Sequence, residues 1–227
     1  IGHGLRTLPR GLDRGDRRDG HEFIPQLYEA GIRNFVVRDE KYLKAFADVN
    51  FVVVNEPLDA LQHLAGYHRQ RFSFPVIAIT GSNGKTIVKE WLYQLLREDF
   101  HIVRSPKSYN SQIGVPLSVW EMRSGNDLAI FEAGISQPGE MPRLEEIIRP
   151  DTGIITNIGS AHDENFRDIY QKTDEKLKLF THCKNLIWCK DYQIITDRIQ
   201  QTDFLSEAQT RVTWSKKTKD DLQITRR

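Results

Sequence analysis

The stretch Val76-Ile77-Ala78-Ile79-Thr80-Gly81-Ser82-Asn83-Gly84-Lys85-Thr86 runs from an apolar strand through a glycine turn, and Ile87 to Leu96 continues it as a helix. That context predicts a loop, Thr80 to Thr86, that cradles the phosphates of a nucleotide, ATP above all. Gly81 and Gly84 let backbone N–H groups turn inward with no Cβ in the way, and Ser82 and Asn83 complete the loop. The helix that begins near Lys85 adds unpaired N–H groups and the positive end of its dipole. Lys85 can reach the β- and γ-phosphates, and the Thr86 hydroxyl can ligate Mg²⁺. Two residues separate Gly81 from Gly84, where the common phosphate loop has four. A glycine turn with a chance Lys-Thr is the competing reading; the flanking strand and helix argue against it.

Outward from this loop, strands and helices alternate. Strands are expected at Leu128–Phe131, Gly153–Thr156 and Leu186–Cys189, and helices at Glu140–Ile148 and about Phe166–Phe180. The helix after the loop should place Ile87, Val88, Trp91, Leu92, Leu95 and Leu96 on one side. Apolar strands alternating with helices indicate an α/β fold with a mainly parallel sheet covered on both faces. Upstream, Phe23, Ile24, Leu27 and Tyr28 repeat at helical spacing and stop at Gly31. Short strands follow at Phe35–Val37 and Phe51–Val54, then a helix from Leu58 to about Tyr67. Phe72–Pro75 reads as a domain boundary, because Pro75 cannot continue a helix. Residues 1 to 20 read as a solvated terminus rather than a basic arm, since Asp13, Asp16 and Asp19 interrupt the arginines. The tail from Thr210 is polar and offers no closing element, so the chain is expected to stop inside a domain.

Composition narrows the function classes. Apolar residues make up 39% of the 227 and charged residues 28%, as in a soluble globular protein. Thirty-two basic and 31 acidic residues give a net charge of +1, which calls for neither a nucleic-acid nor an anionic-membrane partner. No apolar run approaches the ~18–20 residues that span a bilayer. Cys183 and Cys189 are too few for a disulfide framework or a zinc site, and a cytoplasmic protein is expected. Glu132 ends the apolar strand Leu128–Phe131, and in an open parallel sheet that end faces the ligand crevice. There a carboxylate can hold Mg²⁺ opposite Thr86, although a Glu after a strand often starts a helix or lies on the surface. His162 closes Thr156-Asn-Ile-Gly-Ser-Ala-His162 on the same edge, and is open to two readings, structural or a ligand to a second cation.

With these residues in place the chain resembles the Mur ligase family, ATP-dependent enzymes that build the peptidoglycan stem peptide. The short T-G-x-x-G-K-T loop is similar to that family's phosphate loop, which accounts for the close glycines. Tyr109-Asn-Ser-Gln-Ile-Gly-Val-Pro116, Phe131-Glu-Ala-Gly-Ile-Ser-Gln-Pro-Gly-Glu-Met141 and Ile155–His162 resemble the branch that adds D-alanyl-D-alanine. Asp19–Ile24 and Gly31–Val37 are similar to the end of its N-terminal, UDP-sugar-binding domain. Ser105-Pro-Lys-Ser-Tyr-Asn110 resembles the Bacteroidota form, which is often fused to an alanine racemase.

The resemblance implies a P-loop-containing central ATP-binding domain over residues 72–227, incomplete at its end. It also implies part of the UDP-sugar-binding domain over 1–71, no C-terminal domain, and a monomer. Residues 1 to 18 do not match the family's N-terminal strands. The implied partners are UDP-N-acetylmuramoyl-tripeptide and D-Ala-D-Ala, and the cofactors ATP and Mg²⁺. The muramoyl carboxylate would attack the γ-phosphate, and the amine of D-Ala-D-Ala would displace phosphate from the acyl phosphate. Lys85 would stabilise the transferring group, Thr86 and Glu132 would hold one Mg²⁺, and His162 a second. The family's carbamylated lysine maps onto Lys176, four residues before Phe180, with Lys172 and Lys178 as competitors. Asn110, Gln112 and Asn157 lie in matching loops and are expected at substrate or phosphate. Folylpolyglutamate synthase shares the short loop and the modified lysine and is the rival reading. A P-loop NTPase or small-molecule kinase, and a non-catalytic nucleotide-binding fragment, are the other competing readings.

Overall fold

A computed structural model describes residues 19–159 and 163–223. The chain divides into two compact units, residues 1–60 and 61–227. In the first, a 3-10 turn runs into helix α1 (Ile24–Glu29), which has a proline in its first turn and is followed by Gly31 at φ +88°. Strands β1 (Asn34–Val37) and β2 (Asn50–Val53) pair in parallel, Asn34 opposite Asn50, and Phe35 stacks on Phe51 with centroids 5.7 Å apart. Arg33 and Tyr28 both hold Asp48, at 2.8 and 2.9 Å.

Helix α2 (Pro57–Arg69) spans the division between the units, which falls ahead of the Phe72–Pro75 segment. The reason lies in its C-terminal half. Buried Arg69 donates to the carbonyls of Ile148, Phe72 and Arg149 at 2.8, 2.8 and 3.1 Å, and Gln62 donates to Gln112. All of these bonds lie within the second unit.

The second unit is a seven-stranded sheet in the order β4-β5-β3-β6-β7-β8-β9, parallel throughout. Its strands are β3 (Val76–Thr80), β4 (Ile102–Arg104), β5 (Leu128–Glu132), β6 (Thr152–Ile155), β7 (Asn185–Cys189), β8 (Thr210–Ser215) and β9 (Leu222–Gln223). Helices α3 (Lys85–Leu96), α4 (Gly114–Trp120), α5 (Glu140–Ile148), α6 (Ile169–Leu177) and α7 (Gln193–Gln201) connect them. The period of two along each strand divides the core. Val76, Ala78, Ala129 and Phe131 join Val119, Met141, Leu144 and Leu177 in the larger cluster. Ile79, Leu128 and Ile130 turn to the other face and meet Val88, Leu92 and Leu96 of α3. Because β3 is central, flanked by β5 and β6, the connections leave it in opposite directions, and the crevice lies at the carboxyl ends of these strands. No helix among the described residues is long and apolar enough to cross a membrane.

Three expectations change. The tail from Thr210 does carry structure: β8 pairs with β7 from Asn185↔Thr210 to Cys189↔Trp214, and β9 extends the sheet. Its side chains are polar because β8 is only partly covered, with just the two-residue β9 beyond it. The apolar side of α3 also splits. Ile87, Trp91 and Leu95 stay 56, 62 and 72% exposed, since a stripe six residues wide exceeds what one flat sheet can cover. Finally, β4, α4 and α7 form where no element was expected. β4 is three residues long, and α4 opens Gly-Val-Pro, a poor helical pattern rescued by burial of Val115, Pro116 and Val119.

Candidate active site

The phosphate loop joins the end of β3 to the first turn of α3, and its shape is set by the segment after β6. Gly81 sits at φ +140°, and a Cβ there would lie 2.0 Å from Thr156 Oγ1 and 3.0 Å from the Asn157 carbonyl, so no larger residue fits. Ser82 N donates to the Asn157 carbonyl at 2.9 Å, and Asn83 N to Asn157 Oδ1 at 3.0 Å. Thr156 Oγ1 donates to the Asn83 carbonyl at 2.6 Å, and the Ser82 hydroxyl bridges the N–H and carbonyl of Gly159. Asn157 therefore serves as a brace for the loop. Gly84, left-handed at φ +83°, caps α3. The first-turn N–H groups of α3, which helix geometry leaves without an internal carbonyl, are the donors available to an anion.

Lys85 folds back so that Nζ donates to the Gly81 carbonyl at 2.7 Å. Burial draws its pKa down, and the Glu132 carboxylate opposes that shift. The nearest acceptor of Lys85 is a loop carbonyl, which an incoming oxygen can replace.

Behind the loop, Glu132 is completely buried at the end of β5. Its Oε2 accepts the Thr86 hydroxyl at 3.1 Å and the Asn110 amide at 3.3 Å. Its Oε1 faces the ammonium of Lys89, itself fully buried, at 2.9 Å, yet takes no well-angled hydrogen bond. A hydroxyl and a buried carboxylate meeting at a helix N-terminus fit Mg²⁺, a hard ion that prefers one or two carboxylates plus phosphate and water oxygens. Among the described residues no group of three His, Cys, Asp or Glu side chains could hold a metal by itself. The donor set suits a cation that arrives with nucleotide phosphates. His162, the other expected ligand, lies outside the described residues.

Helix α6 brings two further lysines to this edge. Asp168 caps it through a 2.7 Å bond from Gln171 N, and the following 3-10 turn, Lys178–Phe180, packs on β6. There a Cβ on Gly153 would lie 2.2 Å from Phe180, so the glycine lets the aromatic seat the helix end. Lys176 is 3% exposed, and no hydrogen bond or ion pair holds its ammonium among the described residues. Burial, then repulsion from Lys85 and Lys172, pulls its pKa down to about 7. Lys172 donates to the Gly159 carbonyl, tying α6 to the brace of the phosphate loop. Lys178 pairs instead with Glu175 at 2.7 Å, and Glu175 also accepts the backbone N–H groups of Gly139 and Met141 at the start of α5. That separates the three lysines: one braces, one is paired, and Lys176 is a buried amine depressed toward neutrality.

The structure gathers Lys85, Thr86, Glu132 and Asn110, braces them through Asn157, and lets Lys85 act on Lys176 through its charge. Gln112 is drawn elsewhere. Its side chain accepts from Gln62 at 3.0 Å and donates to the Glu140 carbonyl at 3.2 Å, linking α2 to α5. Sequence reasoning missed Lys89 and Ser105, whose hydroxyl receives Glu132 N at 3.1 Å. The signal for Lys89 was a charge placed between Val88 and Leu92, on the side of α3 that meets the sheet.

Comparison with known proteins places this geometry. Residues 79–226 match the model of the Mur ligase middle domain. The UDP-N-acetylmuramoyl-tripeptide--D-alanyl-D-alanine ligase of Borreliella burgdorferi is 36% identical over 172 residues, 73% of this chain and 37% of that protein. Its counterpart in Bacillus subtilis is 32% identical over 190 residues, 80% of this chain and 41% of that protein. The crystal structure of MurF ligase from Thermotoga maritima in complex with ADP superposes with a TM-score of 0.77 at 26% identity, covering 90% of this chain and 46% of that one. The chain thus spans about two-fifths of the length of the curated relatives it matches.

Proposed function

The chain belongs to the Mur ligase family, and on that premise we propose that it binds ATP with Mg²⁺ and serves a ligase that joins D-alanyl-D-alanine to UDP-N-acetylmuramoyl-tripeptide. The observation that carries this reading is the meeting of the Thr86 hydroxyl with the buried Glu132 carboxylate directly behind the phosphate-loop lysine. Upstream, the residues to about 71 would belong to the domain that receives the UDP-sugar.

The reaction forms an amide in two transfers. The muramoyl-peptide carboxylate attacks the γ-phosphorus, the bond to ADP breaks, and an acyl phosphate forms. The amine of D-Ala-D-Ala then attacks the acyl carbon; inorganic phosphate leaves and the amine loses its proton. Both steps bring anions together, so catalysis is mainly positioning and charge neutralisation. Lys85 would trade the Gly81 carbonyl for the γ-phosphate and follow the charge that develops there. Thr86 and Glu132 would hold Mg²⁺, which offsets repulsion between carboxylate and phosphate. Asn110 keeps Glu132 oriented, and Asn157 keeps the loop open to phosphate.

Lys176 fits the modified lysine of the family. With its pKa near 7 a substantial fraction of the amine is neutral and able to add CO₂, giving a carbamate that reverses its charge. The change would turn repulsion from Lys85 and Lys172 into attraction.

Calorimetric titration with ADP in the presence of Mg²⁺ tests the binding: Lys85→Ala should abolish it. For the reaction, the protein should release phosphate from ATP only when muramoyl-tripeptide and D-Ala-D-Ala are both supplied, with an amide product by mass spectrometry. Phosphate retained on an acceptor, with no amide, would replace the ligase by a kinase.

A further inference from the structure

Lys89 has no part in the phosphate loop, yet it touches Glu132 and is completely buried. Its ammonium lies 2.9 Å from Glu132 Oε1 and 3.1 Å from Glu90, and it donates to the carbonyls of Ser105, at 2.8 Å, and Lys107. Those two carbonyls lie in the segment that leads from β4 to Asn110, whose amide holds the other Glu132 oxygen. One buried cation therefore fixes a carboxylate and also the loop that orients it.

We propose that Lys89 is a positioning residue for the metal-bound nucleotide. By occupying Glu132 Oε1 it leaves Oε2, beside Thr86, as the single carboxylate oxygen offered to a divalent cation. The inference rests on the reading of Thr86 and Glu132 as the Mg²⁺ site. Mg²⁺ demands near-octahedral geometry and short oxygen contacts, so a carboxylate restricted to one oxygen suits it better than one free to rotate or chelate. Outer partners of this kind change metal affinity by about 10- to 100-fold when removed.

The sign of the effect separates positioning from bare charge. If Lys89 acted only as a nearby cation, its removal would strengthen metal binding, because like charges on one carboxylate repel. Positioning predicts the reverse. Mn²⁺ binding to the ADP complex, read from the electron paramagnetic resonance signal of free Mn²⁺, is measured for the wild type, Glu132→Gln and Lys89→Met. Lys89→Gln, which keeps a donor for the Ser105 carbonyl, is measured alongside in case Lys89→Met does not fold. The expected result is a loss of about tenfold or more in Mn²⁺ affinity in the Lys89 variants, with ADP affinity in EDTA within about twofold of wild type. Unchanged or tighter Mn²⁺ binding overturns the proposal. So does an equal loss of ADP binding in EDTA, which would give Lys89 a purely structural role in the loop. If Glu132→Gln itself binds Mn²⁺ as the wild type does, the metal site is elsewhere and the underlying reading fails instead.

Discussion

Two buried lysines, Lys89 and Lys176, are treated in opposite ways. Lys89 on α3 is enclosed by the Glu132 carboxylate and two backbone carbonyls. Lys176 on α6 is almost as buried but has no such partner among the described residues, and the charges that shift it, Lys85 and Lys172, share its sign. A buried ammonium with oxygens around it is a fixed counter-charge, whose loss strands a carboxylate. One without them is held toward its neutral form, and a neutral lysine is a nucleophile. The same residue type thus stands as a paired cation on α3 and as an amine depressed toward neutrality on α6.

Removing Lys89 should be the most damaging change. Lys89→Met leaves Glu132 buried without its cation, so urea unfolding should show a loss of about 3–5 kcal/mol, and a double variant with Glu132→Gln should recover most of it. No recovery would mean that the pair is not the source of the loss.

Lys176→Met should move stability the other way. The folded pKa of about 7 lies below the ordinary 10.5, so the cost of burying the charged amine is complete below about pH 7 and fades as pH rises toward 10.5. At pH 6 the variant should be more stable than wild type by a few kcal/mol, with most of the gap closed by pH 10. In ¹³CO₂-saturated buffer the wild type should show a carbamate carbon resonance at pH 8 that weakens at pH 6 and is missing from Lys176→Met. A destabilised variant at pH 6 would remove the contrast between the two lysines.

Thr86→Val is expected to have the smallest effect on stability, about 1 kcal/mol in the same unfolding assay, because Glu132 Oε2 keeps its bond from Asn110. A loss as large as that of Lys89→Met would show that the front of Glu132, not its back, holds the carboxylate.

Much of this cleft was legible in the sequence, because a phosphate loop is a local device. Gly81, Gly84, Lys85 and Thr86 stand in one run, and the strand and helix around them carry plain apolar patterns. Glu132 could be placed because it ends an apolar strand, and strand ends in a parallel sheet share an edge. What could not be read depended on long-range partners. Lys89 takes its partners from the Ser105–Lys107 segment and from Glu132 of β5, all distant from it in the sequence. Gln112 and Asn157 share a polar loop character, and tertiary structure alone sends one to bind α2 and α5 and the other to brace the phosphate loop. Strands β8 and β9 were hidden for a related reason: pairing with β7 supplies their order, and backbone hydrogen bonds leave little trace in side-chain pattern.

The central claim is that Glu132 and the phosphate loop form one Mg²⁺–nucleotide site. It is tested most directly by titrating ADP into wild type and Glu132→Gln, each with Mg²⁺ and with EDTA. The account predicts that Mg²⁺ tightens ADP binding by about tenfold or more in the wild type and has little effect in the variant. Equal tightening in both proteins would contradict it.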